Sequence, residues 1–194
     1  MKIINLGEQN SLLNTFVAQI RDKAIQKDSM RFRKNLERIG EIFAYEISKT
    51  LNYGEKEVVT PLGIAKCSLF TDTLVIASIL RAGLPLHTGL LNFFDAAQNA
   101  FVAAYRKYGK DNKFTIQFEY ASSPALDGKV LILADPMLAT GSSLVLAYQR
   151  LVQSGEPLHT HIVSPIASEQ SLGYLSKQLP HKKVTLWVAA VDEE

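Results

Sequence analysis

The segment Asp135-Pro136-Met137-Leu138-Ala139-Thr140-Gly141-Ser142-Ser143 follows directly on the apolar run Val130-Leu131-Ile132-Leu133-Ala134. Its residue types suit a sugar phosphate. A helix starting after such a run offers unpaired backbone N–H groups and a positive dipole end, both favourable to phosphate. Gly141 lets the backbone approach phosphate oxygens closely. Thr140, Ser142 and Ser143 supply hydroxyl donors. Asp135, at the strand end, is placed to accept hydrogen bonds from ribose hydroxyls. The same Thr-Gly-Ser-Ser stretch also serves as a plain turn and helix cap, and alone it does not separate the two readings. Neither Gly-x-x-x-x-Gly-Lys-Ser/Thr nor Gly-x-Gly-x-x-Gly occurs in the sequence, which argues against a P-loop kinase and a dinucleotide fold.

Two further positions offer charge at a strand end. Ile79-Leu80-Arg81-Ala82-Gly83 closes the apolar run that begins at Leu74. Small residues around one arginine allow backbone N–H groups near a pyrophosphate, and Arg81 offers it a planar fork. The plainer reading is an exposed arginine and a hinge glycine. Tyr105-Arg106 closes another run and precedes a polar stretch, where a surface cation is again the plain alternative.

The elements that must position these residues alternate along the chain. The spacing predicts a helix from Asn10 or Ser11 to about Gln26. A second is capped by Ser29 and carries Phe32, Leu36, Ile39, Phe43 and Ile47 on one face, ending at Asn52-Tyr53-Gly54. Val58 to Ala65 reads as a peripheral hairpin about Pro61-Leu62-Gly63. Strands are expected over 74–79, 100–105, 114–120, 130–134, 159–164 and 184–189. Helices are expected over 84–95, 142–153 and 169–178, and a flexible arm over 107–115. Buried strands alternating with helices imply an α/β fold with a mostly parallel sheet covered on both faces, whose ligands bind beyond the carboxyl ends of the strands.

Composition excludes several classes. The chain of 194 residues, 47% hydrophobic and 21% charged, is ordinary for one globular core. A net charge of +2 is too small to argue for a nucleic-acid or membrane surface. Arg31, Arg33, Lys34 and Arg38 read as a solvated helix face or as a subunit or phosphate surface. The single cysteine, Cys67, lies in a strand-like stretch and reads as a half-buried structural thiol. His159 and His161 share a strand face, but no cysteine or acidic cluster accompanies them, which argues against a metal site. No signal peptide or bilayer-length apolar run is visible, so a cytoplasmic protein is expected.

The Asp135 segment resembles the 5-phosphoribosyl-1-pyrophosphate (PRPP) motif of type I phosphoribosyltransferases. Most of that superfamily has two adjacent acids. Pro136 in the second place, within Asp-Pro-Met-Leu-Ala-Thr-Gly, is similar to the uracil phosphoribosyltransferases. Ile-Leu-Arg-Ala-Gly-Leu around Arg81 resembles the pyrophosphate loop of the same family, which often holds a strained peptide. Tyr105-Arg106 and the early Arg-Phe-Arg resemble it too. Ser142 departs from it, standing where a second glycine is usual.

The resemblance implies a single type I phosphoribosyltransferase domain over residues 1–194, with N-terminal helices and a peripheral β-hairpin or arm. It implies PRPP binding by Arg81, Ala82, Gly83, Arg106 and residues Asp135 to Ser143, with Arg81, Arg106 and Asp135 catalytic. It implies Mg²⁺ carried with PRPP rather than by direct protein ligands, uracil as acceptor, and a homodimer or larger homo-oligomer. No uracil-binding residue is assigned, because the family places base recognition in a Tyr-Ile-Val-Pro-Gly-Leu-Gly-Asp-like segment after the last strand. Here the sequence reaches Asp192-Glu193-Glu194, and that segment is expected to be missing from it rather than from the protein. Two alternatives stay open: another base, although Pro136 argues against a purine, or a PRPP- or nucleotide-sensing regulator on the same fold.

Overall fold

A computed structural model describes residues 1–108 and 114–193; for residues 104–108 and 114–119 it describes the backbone. The elements in chain order are β1 (Lys2–Asn5), α1 (Leu12–Arg21), α2 (Ser29–Ser48), β2 (Tyr53–Thr60), β3 (Gly63–Phe70), β4 (Leu74–Leu80), α3 (Leu84–Phe93) and β5 (Gln98–Tyr108). They continue with β6 (Phe114–Ser122), β7 (Val130–Ala134), β8 (Met137–Leu138), α4 (Ser142–Leu151), β9 (His159–Ser168), α5 (Glu169–Gln178) and β10 (Val184–Asp192).

The main sheet runs β1-β10-β9-β7-β4-β5-β6, with β8 pairing β9. Every pairing is parallel except β5 with β6. The central strands β4 and β7 are buried along most or all of their length, as their unbroken apolar runs require. One core lies between the sheet and α1, α2 and α3, and is built on Leu13, Leu36, Ile39, Phe43, Ile76 and Leu90. The other lies between the sheet and α4 and α5, and is built on Leu131, Leu133, Leu144, Leu151 and Leu175. Among the described residues the β2–β3 hairpin pairs only within itself, and it exposes Val59, Leu62 and Ile64.

Several boundaries differ from the sequence expectation, each for a local reason. The first helix stops at Arg21 because Asp22 turns its carboxylate onto the Ala24 and Ile25 N–H groups, at 2.8 and 2.9 Å. Asp28, not Ser29, caps α2, accepting from Met30 and Arg31 at 3.1 and 3.0 Å. The hairpin is longer than expected, and Tyr53-Gly54 begins it rather than ending the helix. Two strands were not expected. Lys2–Asn5 is short and gains its stability from pairing with β10, while Met137–Leu138 borrows its pairing from Ile166–Ala167 of β9. The arm predicted over 107–115 is strand at each end; residues 109–113 lie outside those described.

Candidate active site

The Arg81 loop and the Asp135 loop leave the carboxyl ends of neighbouring strands. β4 and β7 pair in parallel, with Ser78 opposite Ala134, so both loops emerge at one edge of the sheet. After β4 the Leu80–Arg81 peptide is cis, and Arg81 and Ala82 are exposed. The chain then closes a tight turn, with the Gly83 N–H donating to the Ile79 carbonyl at 3.1 Å. A Cβ at Gly83 would strike Ser78 Oγ and lie 2.9 Å from the Ile79 oxygen, so only glycine fits this turn. α3 starts at once, with Pro85 in its first turn and no side-chain cap.

The second loop is tied down at both ends. The Asp135 N–H donates to the Val163 carbonyl at 3.1 Å, and Met137–Leu138 pairs with β9. Leu138 is 2% exposed, so its side chain belongs to the core and only its backbone is available to a ligand. Met137 is 61% exposed at the same edge. The Asp135 carboxyl keeps some exposed surface, yet the protein packed around it pushes its pKa up to about 6, against the pull of the Met137 N–H.

Gly141 enters α4 in the left-handed conformation, at φ 75°. The helix has no side-chain cap. Thr140 Oγ1 and Ser142 Oγ lie 2.9 Å apart, on the loop side of the helix start. α1, α2 and α5, in contrast, are each capped by a side chain: Ser11, Asp28 and Ser168. The two helices without a side-chain cap, α3 and α4, follow the two predicted loops, but they differ: in α3 the Leu84 N–H donates to the Arg81 carbonyl at 3.2 Å and Pro85 has none to give, whereas α4 leaves first-turn N–H groups for an anion.

One residue the sequence reading missed supports this loop. Ser168 caps α5, accepting from the Ser171 N–H at 3.0 Å, while its own hydroxyl donates to the Ala139 carbonyl at 2.5 Å. Its place just ahead of Glu169 was a readable cap signal, but its reach to Ala139 was not.

A cavity of about 500 Å³ opens between the loops. Arg81, Ala82, Pro136 and Met137 line one side, and Phe32, Arg33 and Leu36 of α2 line the other. The basic cluster therefore divides. Arg31 pairs with Asp28, Lys34 pairs with Glu37, and Arg38 meets Asn35 and the Phe16 ring, whereas Arg33 joins the cavity. Arg106 sits in β5 opposite Ile116, next to β4; its side chain lies outside the described residues. Cys67 is half-buried in β3, away from both loops. Among the described residues no group of three His, Cys, Asp or Glu side chains is placed to hold a metal, and no helix is long and apolar enough to cross a membrane.

Comparison with known proteins agrees with this geometry. The family model for uracil phosphoribosyltransferase matches residues 7–194. The chain is 53% identical over 192 residues to a uracil phosphoribosyltransferase of Porphyromonas gingivalis, covering 99% of this chain and 88% of that one. It is 34% identical over 190 residues to one of Thermococcus gammatolerans, covering 96% and 82%. The solved structure of the AQ2163 protein from Aquifex aeolicus superimposes with a TM-score of 0.83 at 30% identity, covering 98% of this chain and 87% of that one. A hypoxanthine phosphoribosyltransferase from Staphylococcus aureus, 15% identical with a TM-score of 0.50, shares the fold alone. The sequence motifs, the paired loops at one sheet edge and these relatives agree: the chain belongs to the uracil phosphoribosyltransferase family.

Proposed function

We propose that this protein transfers the ribose phosphate of PRPP to N1 of uracil, giving UMP and pyrophosphate in pyrimidine salvage. The observation that carries the reading is the exposed Arg81 loop beside the uncapped, glycine-led start of α4, both at the carboxyl edge of the sheet. A cationic loop and an anion-suited helix start at one edge suit a substrate with phosphate at both ends of a ribose.

In this reading the 5′-phosphate lies on the backbone and hydroxyls of Thr140, Gly141, Ser142 and Ser143. Asp135 accepts from the ribose hydroxyls, flanked by Pro136, Met137 and Ala139, and Leu138 contributes backbone only. Arg81, Ala82 and Gly83 hold the pyrophosphate, and Arg106 adds a second cation. Uracil N1 attacks C1′ as the bond to pyrophosphate breaks, with inversion and a transition state of oxocarbenium character, as in glycosyl transfer generally. The loops contribute orientation, and the arginines stabilise charge building on the leaving group. Asp135 is the one acid in the two loops, which fits an Mg²⁺ ion held mainly by substrate oxygens and water. When bound with PRPP that ion neutralises phosphate charge.

Residues 1–194 form one phosphoribosyltransferase domain in this reading, acting in the cytoplasm. The exposed apolar side chains of the self-paired hairpin supply a homo-oligomer contact, since a lone two-stranded hairpin is marginal in water. The test is pyrophosphate release from PRPP and Mg²⁺ with uracil, with other bases and with none. Release that requires uracil and stops in excess chelator supports the reading. Release with a different base, or PRPP binding without turnover, replaces it.

A further inference from the structure

A second cavity, of about 340 Å³, lies at the opposite edge of the same sheet. Lys2, Val130 and His159, the first residues of β1, β7 and β9, line it, so it faces away from both phosphate loops. His161, Thr185 and Trp187 form its polar inner wall, and Asp72 stands on its rim.

The hydrogen bonding of this wall is directional. The Trp187 indole N–H donates to His161 Nδ1 at 3.0 Å. An indole nitrogen can only donate, so Nδ1 is an acceptor and the neutral ring carries its proton on Nε2. Burial, with the neighbouring His159 as a smaller cause, drives the His161 pKa down to about 3, so the ring is neutral near pH 7. His161 is 4% exposed, and its Nε2–H has no hydrogen-bond partner among the described residues. A protonated Nε2 cannot be a metal ligand, so the His159/His161 pair is not a metal chelate. It is a donor on a buried ring that opens on the cavity without a partner among the described residues, free to meet an acceptor there.

The other walls narrow the ligand class. His159, whose ring lies 4.7 Å from that of His161, is held by Thr185 at 2.9 Å, and with Trp187 it offers flat aromatic surface. Asp72 accepts two hydrogen bonds from Asn52, at 2.7 and 3.0 Å, and each carboxylate oxygen keeps capacity for another donor. Lys2, also in the lining, carries the opposite charge. The site therefore combines a neutral N–H donor, a carboxylate acceptor and aromatic walls, with no net charge to attract an anion.

We propose that this amino-edge cavity is a second ligand site, separate from the substrate site, for a neutral heterocycle of nucleobase or nucleoside size. Its ligand carries a lactam edge: a carbonyl accepts from His161 Nε2–H, and the adjoining ring N–H donates to Asp72.

Trp187 is the only tryptophan in the chain, so its fluorescence reports directly on this cavity. The probes are uridine, whose ring N1 is blocked against transfer, and 3-methyluridine, which lacks the ring N–H. Uridine should quench Trp187 saturably in the micromolar to millimolar range, and 3-methyluridine should bind at least about tenfold more weakly, the loss expected when a hydrogen bond to a charged group is removed. His161→Phe should abolish the uridine response and leave uracil-dependent pyrophosphate release unchanged. The analogue comparison stands even if that variant folds poorly. No saturable quenching by millimolar uridine overturns the proposal, as does equal binding of 3-methyluridine or an unchanged titration in folded His161→Phe.

Discussion

The two edges of the sheet treat polar groups in opposite ways. At the carboxyl edge Arg81 and Thr140 stand exposed on loops, and the uncapped start of α4 lies open beside them. At the amino edge His159, His161, Thr185 and Trp187 are partners within strands, and the His161 Nε2–H has no partner among the described residues. Both edges depart from plain hydrophobic packing, but only the first presents backbone donors at a helix start. Polar groups that satisfy one another hold a structure together; those left unsatisfied at helix starts wait for a ligand.

Acid should separate the edges most strongly. His161 is held neutral with a pKa near 3, well below the ordinary 6.5 of the unfolded chain. Its contribution is present above about pH 6.5 and is lost as pH falls towards 3, worth up to about 5 kcal/mol. Burial lowers the pKa of His87 and His159 as well, in the same direction. Unfolding free energies at about pH 7 and about pH 4 should show this loss, and a folded His161→Phe variant should lose much less. Equal losses would mean that the amino edge is not where acid acts.

The carboxyl edge should answer in rate. Arg81→Ala should cut uracil-dependent turnover by about a hundredfold or more, as loss of a charge-stabilising donor does, without lowering the melting temperature. An unchanged rate would remove Arg81 from the site. Asp135 sharpens the contrast because its shift has the opposite sign, from an ordinary 3.8 up to about 6. Its contribution to stability is therefore present below about pH 3.8 and is lost as pH rises through 6. Activity should run the other way. The ionised acceptor is needed, so kcat/KM for PRPP should fall as pH drops through about 6, by about tenfold per unit below it. Asp135→Asn should be weaker throughout and lack that acid limb while staying folded.

The smallest effect should come from Gly141. An alanine at φ 75° costs about 1 kcal/mol in backbone conformation. It should also meet Leu175 at 3.3 Å, so thermal denaturation should shift modestly while the apparent KM for PRPP rises. A stability loss with unchanged KM would make Gly141 a plain helix entry.

Much of this was legible along the chain. Val130–Ala134 reads as a buried strand because all five residues are apolar, and the residues after it announce a phosphate-suited helix start. Phe32, Leu36, Ile39, Phe43 and Ile47 recur at helical spacing and do face inward in α2. Less legible were elements whose stability is borrowed. Lys2–Asn5 and Met137–Leu138 are too short to signal by pattern, and they exist because β10 and β9 offer them free edges. The Ser168 hydroxyl bracing Ala139 likewise spans 29 positions, which local spacing does not encode.

The sequence by itself determined the alternation of buried strands and helices, and which loops have the residue types suited to phosphate. Those features depend on residues adjacent in the chain, where periodicity, glycine and hydroxyl placement act directly. Only the tertiary structure decided that the Arg81 and Asp135 loops share an edge, that Arg33 alone of its cluster joins them, and that a tryptophan sets the His161 tautomer. Each of these depends on which strands pair and which helices cover them. Burial and hydrogen-bond partners then follow from contacts between residues far apart in the chain.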